Sequence, residues 1–235
     1  MVVFLFNKIF DIILKMKRIS TSIQKRLAGL AGMIGPLLFV AVFTIEGAFR
    51  PGFSSQMVIS DLSLGPRGWI QDANFMILGI LFILFAWGVY LEFKNDLPSR
   101  LGPVILAAIA ISIFFSGLFI TDPPHVPSGP VTLHGSIHVA FGVIAFLSLP
   151  ISCFVFTGIF RDSSRWRPFY RWTLISGIIV TALVMIFTIT EKLPVTADAL
   201  YECKGFFQRA AIIAYFLWIF TFALNLYKIN KKSTL

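Results

Sequence analysis

The residues best suited to chemistry in this chain of 235 residues are its three histidines, which all fall within fourteen residues. His134 and His138 are four positions apart, so on one helix they share a face and lie about 6 Å apart along its axis. Paired imidazoles at this spacing can chelate a metal ion or pass a proton. We therefore predict that His134 and His138 are catalytic residues, metal ligands or both.

A metal site needs further ligands, and Asp122 is the first candidate because Thr121-Asp122-Pro123-Pro124-His125 closely precedes the histidine pair. With His134 and His138 it would hold a divalent transition metal such as zinc. Asp122 can instead orient a histidine without touching the metal. His125, Asp61 and Glu46 are alternative ligands, and no glutamate completes a His-Glu-x-x-His motif. The structural alternative is that both histidines cap the start of their helix.

Further polar residues at this end of the molecule complete a candidate pocket. Asp61, in Ser60-Asp61-Leu62, is predicted to be a catalytic carboxylate, and either Ser60 or Asp61 is predicted to cap a short helical turn. Arg209 can form an ion pair with Glu46 or Asp61, or bind a phosphate through two hydrogen bonds. Arg209, Glu46 and Asn74 are therefore the predicted substrate-binding residues, with Arg209 as the expected partner of Glu46.

The elements that must position these residues are six apolar runs of about 20 residues, the length that an α-helix needs to cross a bilayer. The chain is 57% hydrophobic and only 13% charged, which excludes an ordinary soluble domain. In the first run, Ala28, Ala31, Gly32 and Gly35 predict close helix packing. The predicted spans are Leu27 to Ala48, Ala73 to Phe93, Leu101 to Ile120, Gly135 to Phe160, Phe169 to Thr190 and Phe206 to Tyr227.

An even number of spans places both termini on one side, and fifteen of the twenty Lys and Arg residues fall on that side. The positive-inside rule therefore predicts cytoplasmic termini and a candidate pocket on the outer face of the cell membrane. The net charge of +9 suits anionic lipid headgroups as partners and requires no nucleic acid. The sequence does not indicate protein partners.

The expected fold class is an all-α membrane protein, a six-helix transmembrane bundle with short loops. Residues 1–26 are expected to form a cytoplasmic N-terminal segment that contains an amphipathic interfacial helix. Alternatively, translation starts at Met16, where Met-Lys-Arg begins a typical inner-face leader. Residues 27–227 form the transmembrane domain, and residues 228–235 form a basic tail. Cys153 and Cys203 are expected to be free thiols because they lie at different depths.

At these polar residues the chain resembles the prokaryotic integral-membrane family DUF998, whose function is unknown. The motifs that carry the resemblance span nearly the whole chain from the first apolar run onward. Ile59-Ser60-Asp61 also resembles the corresponding run of the eukaryotic Frag1 and DRAM group of membrane proteins. The motifs are Ile59-Ser60-Asp61-Leu62, Gly65, Gly68-Trp69, Asn74-Phe75, Thr121-Asp122-Pro123, His134-Gly135, His138 and Gln208-Arg209.

The sequence favours an outer-face pocket that binds or processes a lipid headgroup. In an enzymatic version, a membrane-embedded hydrolase or transferase, a histidine acts as base or metal ligand while Arg209 binds negative charge. No nucleotide cofactor is expected, because the chain contains no phosphate-cradling glycine loop. One alternative is a small proton-coupled transporter, although ionisable residues do not continue toward the bilayer centre. Another is a noncatalytic subunit of a membrane assembly.

Overall fold

The computed structural model of the protein describes residues 20–94, 98–123, 131–192 and 202–232. Within these ranges all regular secondary structure is helical, and six long helices follow one another in sequence. They confirm the all-α class and the six predicted spans, with most ends shifted by a few residues. The helices are α1 (Thr21–Phe49), α2 (Gly68–Phe93), α3 (Leu101–Leu118), α4 (Leu133–Asp162), α5 (Tyr170–Lys192) and α6 (Lys204–Lys232).

All six helices are long and apolar enough to cross a membrane. An α-helix satisfies its backbone hydrogen bonds internally, as the hydrocarbon of a bilayer requires. The protein is therefore a multi-pass membrane protein. Pro36 lies inside α1 and Pro150 inside α4, as the sequence predicts. Cys153 and Cys203 are both free.

Each helix packs against the next along the chain, and α6 closes the bundle by packing against α1. Successive helices run in opposite directions, so the bundle has two loop-bearing faces. We call the one where α1 begins and α6 ends the terminal face, and the opposite one the far face. The predicted cytoplasmic position of the terminal face stays a prediction.

Aromatic side chains fill the described centre of the bundle. Phe156 of α4 contacts Phe222 of α6, with ring centroids 4.9 Å apart, and Phe222 also meets Phe85 of α2 at 5.3 Å. All three rings are almost fully buried. At Gly32 of α1, an added Cβ would lie 2.6 Å from the Phe85 ring. The small residues of α1 therefore allow the close packing that the sequence predicts.

The connection between α1 and α2 forms the main structure on the far face. It contains a 3-10 helix, Ile59–Ser63, that packs against α1, α2 and α6. His125 and most of the predicted N-terminal segment lie outside the described residues. The described candidate residues therefore belong to this loop, to the segment that follows α3 and to the far-face parts of α1, α2, α4 and α6.

Candidate functional site

A cavity of about 300 Å³ opens on the far face, between the end of α1 and the loop that leads to α2. Three of its lining residues are charged, and two arginines against one glutamate leave one net positive charge. A pocket of this size and charge fits a small anionic group. The lining residues are Glu46, Phe49, Arg50, Pro51, Leu62, Leu64, Gly65, Pro66 and Arg67.

Glu46 and Arg67 form a two-pronged ion pair at this cavity. The Arg67 Nε donates to Glu46 Oε2 at 2.9 Å, and Nη2 donates to Oε1 at 2.6 Å. This bond raises the pKa of the Arg67 guanidinium. The predicted pairing of Glu46 with Arg209 is therefore wrong. Arg67 reaches Glu46 because α2 begins directly beside the last turn of α1.

Arg50 supports the wall of the cavity from the end of α1. Its Nη1 donates to the backbone carbonyls of Asp61 and Leu64, the latter at 2.8 Å. The 3-10 helix is thus attached to α1 at its C-terminal end. The sequence prediction missed both Arg50 and Arg67. Their position in the sequence could have indicated a site. Only five Lys and Arg residues fall on this side, and Arg50 and Arg67 flank the loop between α1 and α2.

Asp61 is a buried residue of the 3-10 helix and caps it. Its Oδ2 accepts a hydrogen bond from the backbone N–H of Val58 at 2.9 Å, which confirms the predicted helix cap. Burial raises the pKa of the Asp61 carboxyl, while the Val58 N–H and the charges of Lys204 and Arg50 partly oppose that increase. Asp61 does not line the cavity. Its predicted catalytic role stays a prediction.

Arg209 lies at the start of α6, and its hydrogen-bond partners among the described residues are loop carbonyls rather than acidic side chains. Its Nη1 donates to the Met57 carbonyl at 2.8 Å and its Nη2 to the Ser54 carbonyl at 3.3 Å. The neighbouring Gln208 accepts the Ile59 N–H at 2.8 Å. The resemblance motifs at residues 59–62 and 208–209 therefore meet in space.

His138, a buried residue of α4, lies against the C-terminal end of α3. Its Nδ1 lies 2.8 Å from the Phe119 carbonyl and 3.0 Å from that of Ser116. These carbonyls have no N–H partner further along the helix, so an Nδ1–H satisfies them. His134 is exposed, and its ring packs edge-on against Phe119 at 5.3 Å. The two histidines share a face, as predicted, and both contact Phe119.

Asp122 and Thr132 together cap the start of α4. The Asp122 carboxylate accepts the Thr132 hydroxyl at 2.6 Å and its N–H at 3.0 Å, while the Thr132 oxygen accepts the Gly135 N–H at 3.0 Å. These donors lower the pKa of the Asp122 carboxyl. The structural alternative predicted that His134 and His138 cap the start of this helix. Thr132 provides that cap instead.

The metal prediction receives no support from the described part of the chain, where no three His, Cys, Asp or Glu side chains form a group able to hold a metal ion. His138 Nδ1 and the Asp122 carboxylate already bind protein groups. The assignment of His134, His138 and Asp122 as metal ligands or catalytic residues stays a prediction.

Asn74, a predicted substrate-binding residue, lies inside the bundle. It is 3% exposed, and its Nδ2 donates to the Phe39 carbonyl of α1 at 3.2 Å and to Gln71 Oε1 at 3.3 Å. Neither Asn74 nor Arg209 lines the cavity, whereas Glu46 does. Asn74 connects α1 with α2.

A second charged cluster, which sequence reasoning did not single out, lies on the terminal face. The Glu92 side chain of α2 is 4% exposed and accepts Lys25 Nζ at 2.8 Å, Trp166 Nε1 at 3.2 Å and Arg165 Nη1 at 3.4 Å. Arg165 also reaches the Ile229 carbonyl of α6 at 3.3 Å. Glu92 thus connects α1, α2 and the loop before α5. The sequence signal was that acids are few among the many basic residues on this side.

The comparisons with known proteins identify a family but no activity. The family model described as "Protein of unknown function (DUF998)" matches residues 33–225, which is most of the chain. No curated protein and no solved structure matches the chain significantly. The similarity to the Frag1 and DRAM group stays a prediction.

Proposed function

The chain belongs to the DUF998 family of membrane proteins of unknown function, and we propose that it binds the anionic headgroup of a lipid in the far-face cavity. The observation that carries this proposal is the cavity lining. It contains Arg50 at the end of α1 and Arg67 at the start of α2, both of which are membrane-spanning helices. Guanidinium groups bind phosphate through paired hydrogen bonds.

Both arginines keep donors for such a ligand. Within the described residues, Arg67 uses Nε and Nη2 for Glu46, and Arg50 uses Nη1 for the loop carbonyls. The Arg67 side chain is 58% exposed, so a headgroup can reach it from solvent. The single net positive charge of the lining suits a headgroup of net charge −1, such as that of phosphatidylglycerol, better than a zwitterionic headgroup.

The apolar surroundings favour a lipid over a free anion. Phe49 lines the cavity and is 67% exposed, and Ile45, one turn earlier, is 52% exposed. Acyl chains can therefore follow the outside of α1 while the phosphate contacts the arginines. With basic loops on the terminal face, the proposed ligand is a lipid of the outer leaflet of the cell membrane, and both termini are cytoplasmic.

Binding, rather than hydrolysis or transport, is the function that this geometry supports. Among the described residues the cavity lining includes no histidine or cysteine, and its one carboxylate, Glu46, is held in the ion pair with Arg67. A proton-coupled transporter needs ionisable groups through the hydrocarbon layer, but aromatic side chains of α1, α2 and α6 pack together near mid-depth of the described bundle, where Phe39 and Phe82 both contact Phe216. If the protein is instead a noncatalytic subunit of a membrane assembly, no lipid should be retained selectively.

Reconstitution into nanodiscs that contain phosphatidylglycerol or phosphatidylcholine tests the proposal, with retained lipid measured by native mass spectrometry. We expect preference for phosphatidylglycerol and about tenfold weaker retention in Arg67→Gln, because a charge-assisted hydrogen bond is worth roughly 1.5–3 kcal/mol. Arg50→Gln should act in the same direction. Arg161→Gln is the matched control, since Arg161 is exposed on the terminal face.

Two further results would decide the ligand and the proposal. Competition by inorganic phosphate but not by added lipid would identify a free anion as the ligand. Equal retention of both lipids by the native protein, unchanged in Arg67→Gln and Arg50→Gln, would overturn the proposed function.

A further inference from the structure

We infer that Gln208 and Arg209 are positioning residues for the headgroup cavity, holding the loop that forms its wall without touching the ligand. This inference rests on the proposed function. It starts from the separation between the two sites, because α6 contributes no residue to the cavity lining, while its first turns bind the same loop.

The attachment of the loop to α6 involves both backbone and side chains. Besides the bonds of Arg209 and Gln208, the Phe206 N–H donates to the Ser55 carbonyl at 2.8 Å. The Ser55 hydroxyl donates to the Glu202 carbonyl at 2.9 Å. Four residues of the segment 54–59 are therefore bonded to residues 202–209, at and just before the start of α6; they are Ser54, Ser55, Met57 and Ile59.

The attached segment continues directly into the cavity wall. Gln208 binds the N–H of Ile59, the first residue of the 3-10 helix, and Leu62 lies in the same short helix. Arg50 holds the other end of that helix through the Asp61 and Leu64 carbonyls. The position of Leu62 and Leu64 in the wall thus depends on α6 at one end and on α1 at the other.

Phe53 strengthens this connection. The Arg209 guanidinium lies over the Phe53 ring, 5.2 Å from its centroid. On α1, a Cβ added to Gly47 would lie 2.7 Å from the same ring, so only glycine allows this approach. Arg209 therefore joins two loop carbonyls and one aromatic ring that packs on α1. Lysine cannot reproduce that set, because it lacks the planar fork of donors.

The first experiment compares headgroup retention with amide exchange in Arg209→Gln. We expect about tenfold weaker phosphatidylglycerol retention, together with faster hydrogen–deuterium exchange at the Ile59 and Phe206 amides. Arg161→Gln should change neither. Weaker retention with native protection of both amides would overturn the inference, because Arg209 would then contact the headgroup directly.

A second variant tests rescue. Ser55→Cys introduces a thiol where the Ser55 side chain meets the Glu202 carbonyl, one residue before the native Cys203. A mild oxidant is then used to join the loop to the start of α6 through a disulfide, which mass spectrometry verifies before retention is measured. If Arg209 acts by positioning, the oxidised Ser55→Cys, Arg209→Gln protein should regain retention, and a reductant should remove that gain. A crosslinked protein that stays defective would overturn the inference.

The two proposals fail in different ways. Native retention in Arg209→Gln alongside a defect in Arg67→Gln would overturn the positioning role and leave headgroup binding intact. Native retention in Arg67→Gln and Arg50→Gln would instead overturn the proposed function itself.

Discussion

Glu46 and Arg67 join the end of α1 to the start of α2 through two parallel hydrogen bonds of 2.9 and 2.6 Å. The Glu46 side chain is 10% exposed and the Arg67 side chain 58% exposed. The pair therefore places a nearly buried carboxylate behind an accessible guanidinium. An anionic ligand must share Arg67 with Glu46.

Replacing the Glu46 carboxylate should strengthen binding of the anionic ligand. We expect Glu46→Gln to increase phosphatidylglycerol retention, because the net charge of the lining rises when the acid is removed. The free energy of unfolding should fall by about 1 kcal/mol or less, since Arg67 is largely exposed. Lipid retention and thermal unfolding in detergent measure the two effects. Weaker retention would instead show that Glu46 holds Arg67 in the binding orientation.

Glu92→Gln should destabilise the protein more than a comparable change at the surface. The substitution leaves Lys25 and Arg165 without their acidic partner, and we expect a loss of roughly 2 kcal/mol, between the values for exposed and buried pairs. Asp162→Asn is the control, because Asp162 and Arg161 form an exposed pair. Equal, small losses in both variants would mean that the Glu92 cluster adds no more than a surface ion pair.

His138 and His134 should respond differently to the same substitution. His138→Phe removes the donor to the Ser116 and Phe119 carbonyls, and an unsatisfied buried group costs about 1–3 kcal/mol. His134→Phe removes only an exposed edge contact, so its effect should stay within about 0.5 kcal/mol. Chemical denaturation of both variants tests this difference. A catalytic role for the pair would appear as lost function in His134→Phe with native stability.

Asp122 should make stability dependent on pH in the acidic range. Its pKa in the folded protein lies below the ordinary value of 3.8, so the ionised carboxylate stabilises the folded state. This contribution is complete above the unfolded value and is lost as pH falls through the lower folded pKa. We expect the melting temperature to drop less steeply below about pH 4 in Asp122→Asn.

Thr132→Val should remove part of the same pH dependence, because Thr132 donates the hydroxyl hydrogen bond that lowers the Asp122 pKa. An unchanged melting profile in both variants would contradict the capping role of this pair.

Local rules explain which features were predictable. The Asp61 cap depends on a residue three positions away, Val58, and it could be predicted from local sequence. The partner of Glu46 was predicted wrongly, because Arg67 and Arg209 both stand near the far face and only the packing of α2 beside α1 brings Arg67 into reach. The cavity itself was not predicted: among the candidate residues only Glu46 lines it, and Arg50 was missed.

The sequence alone determined the class of protein, the number of spans and the face on which most of the candidate residues lie. Length and hydropathy are sufficient for this, because the bilayer imposes the same requirement on every spanning helix. The tertiary structure decided the partners: Arg67 for Glu46, loop carbonyls for Arg209 and the end of α3 for His138. Hydrogen bonds act over about 3 Å, so these pairings depend on how the six helices pack around the loop.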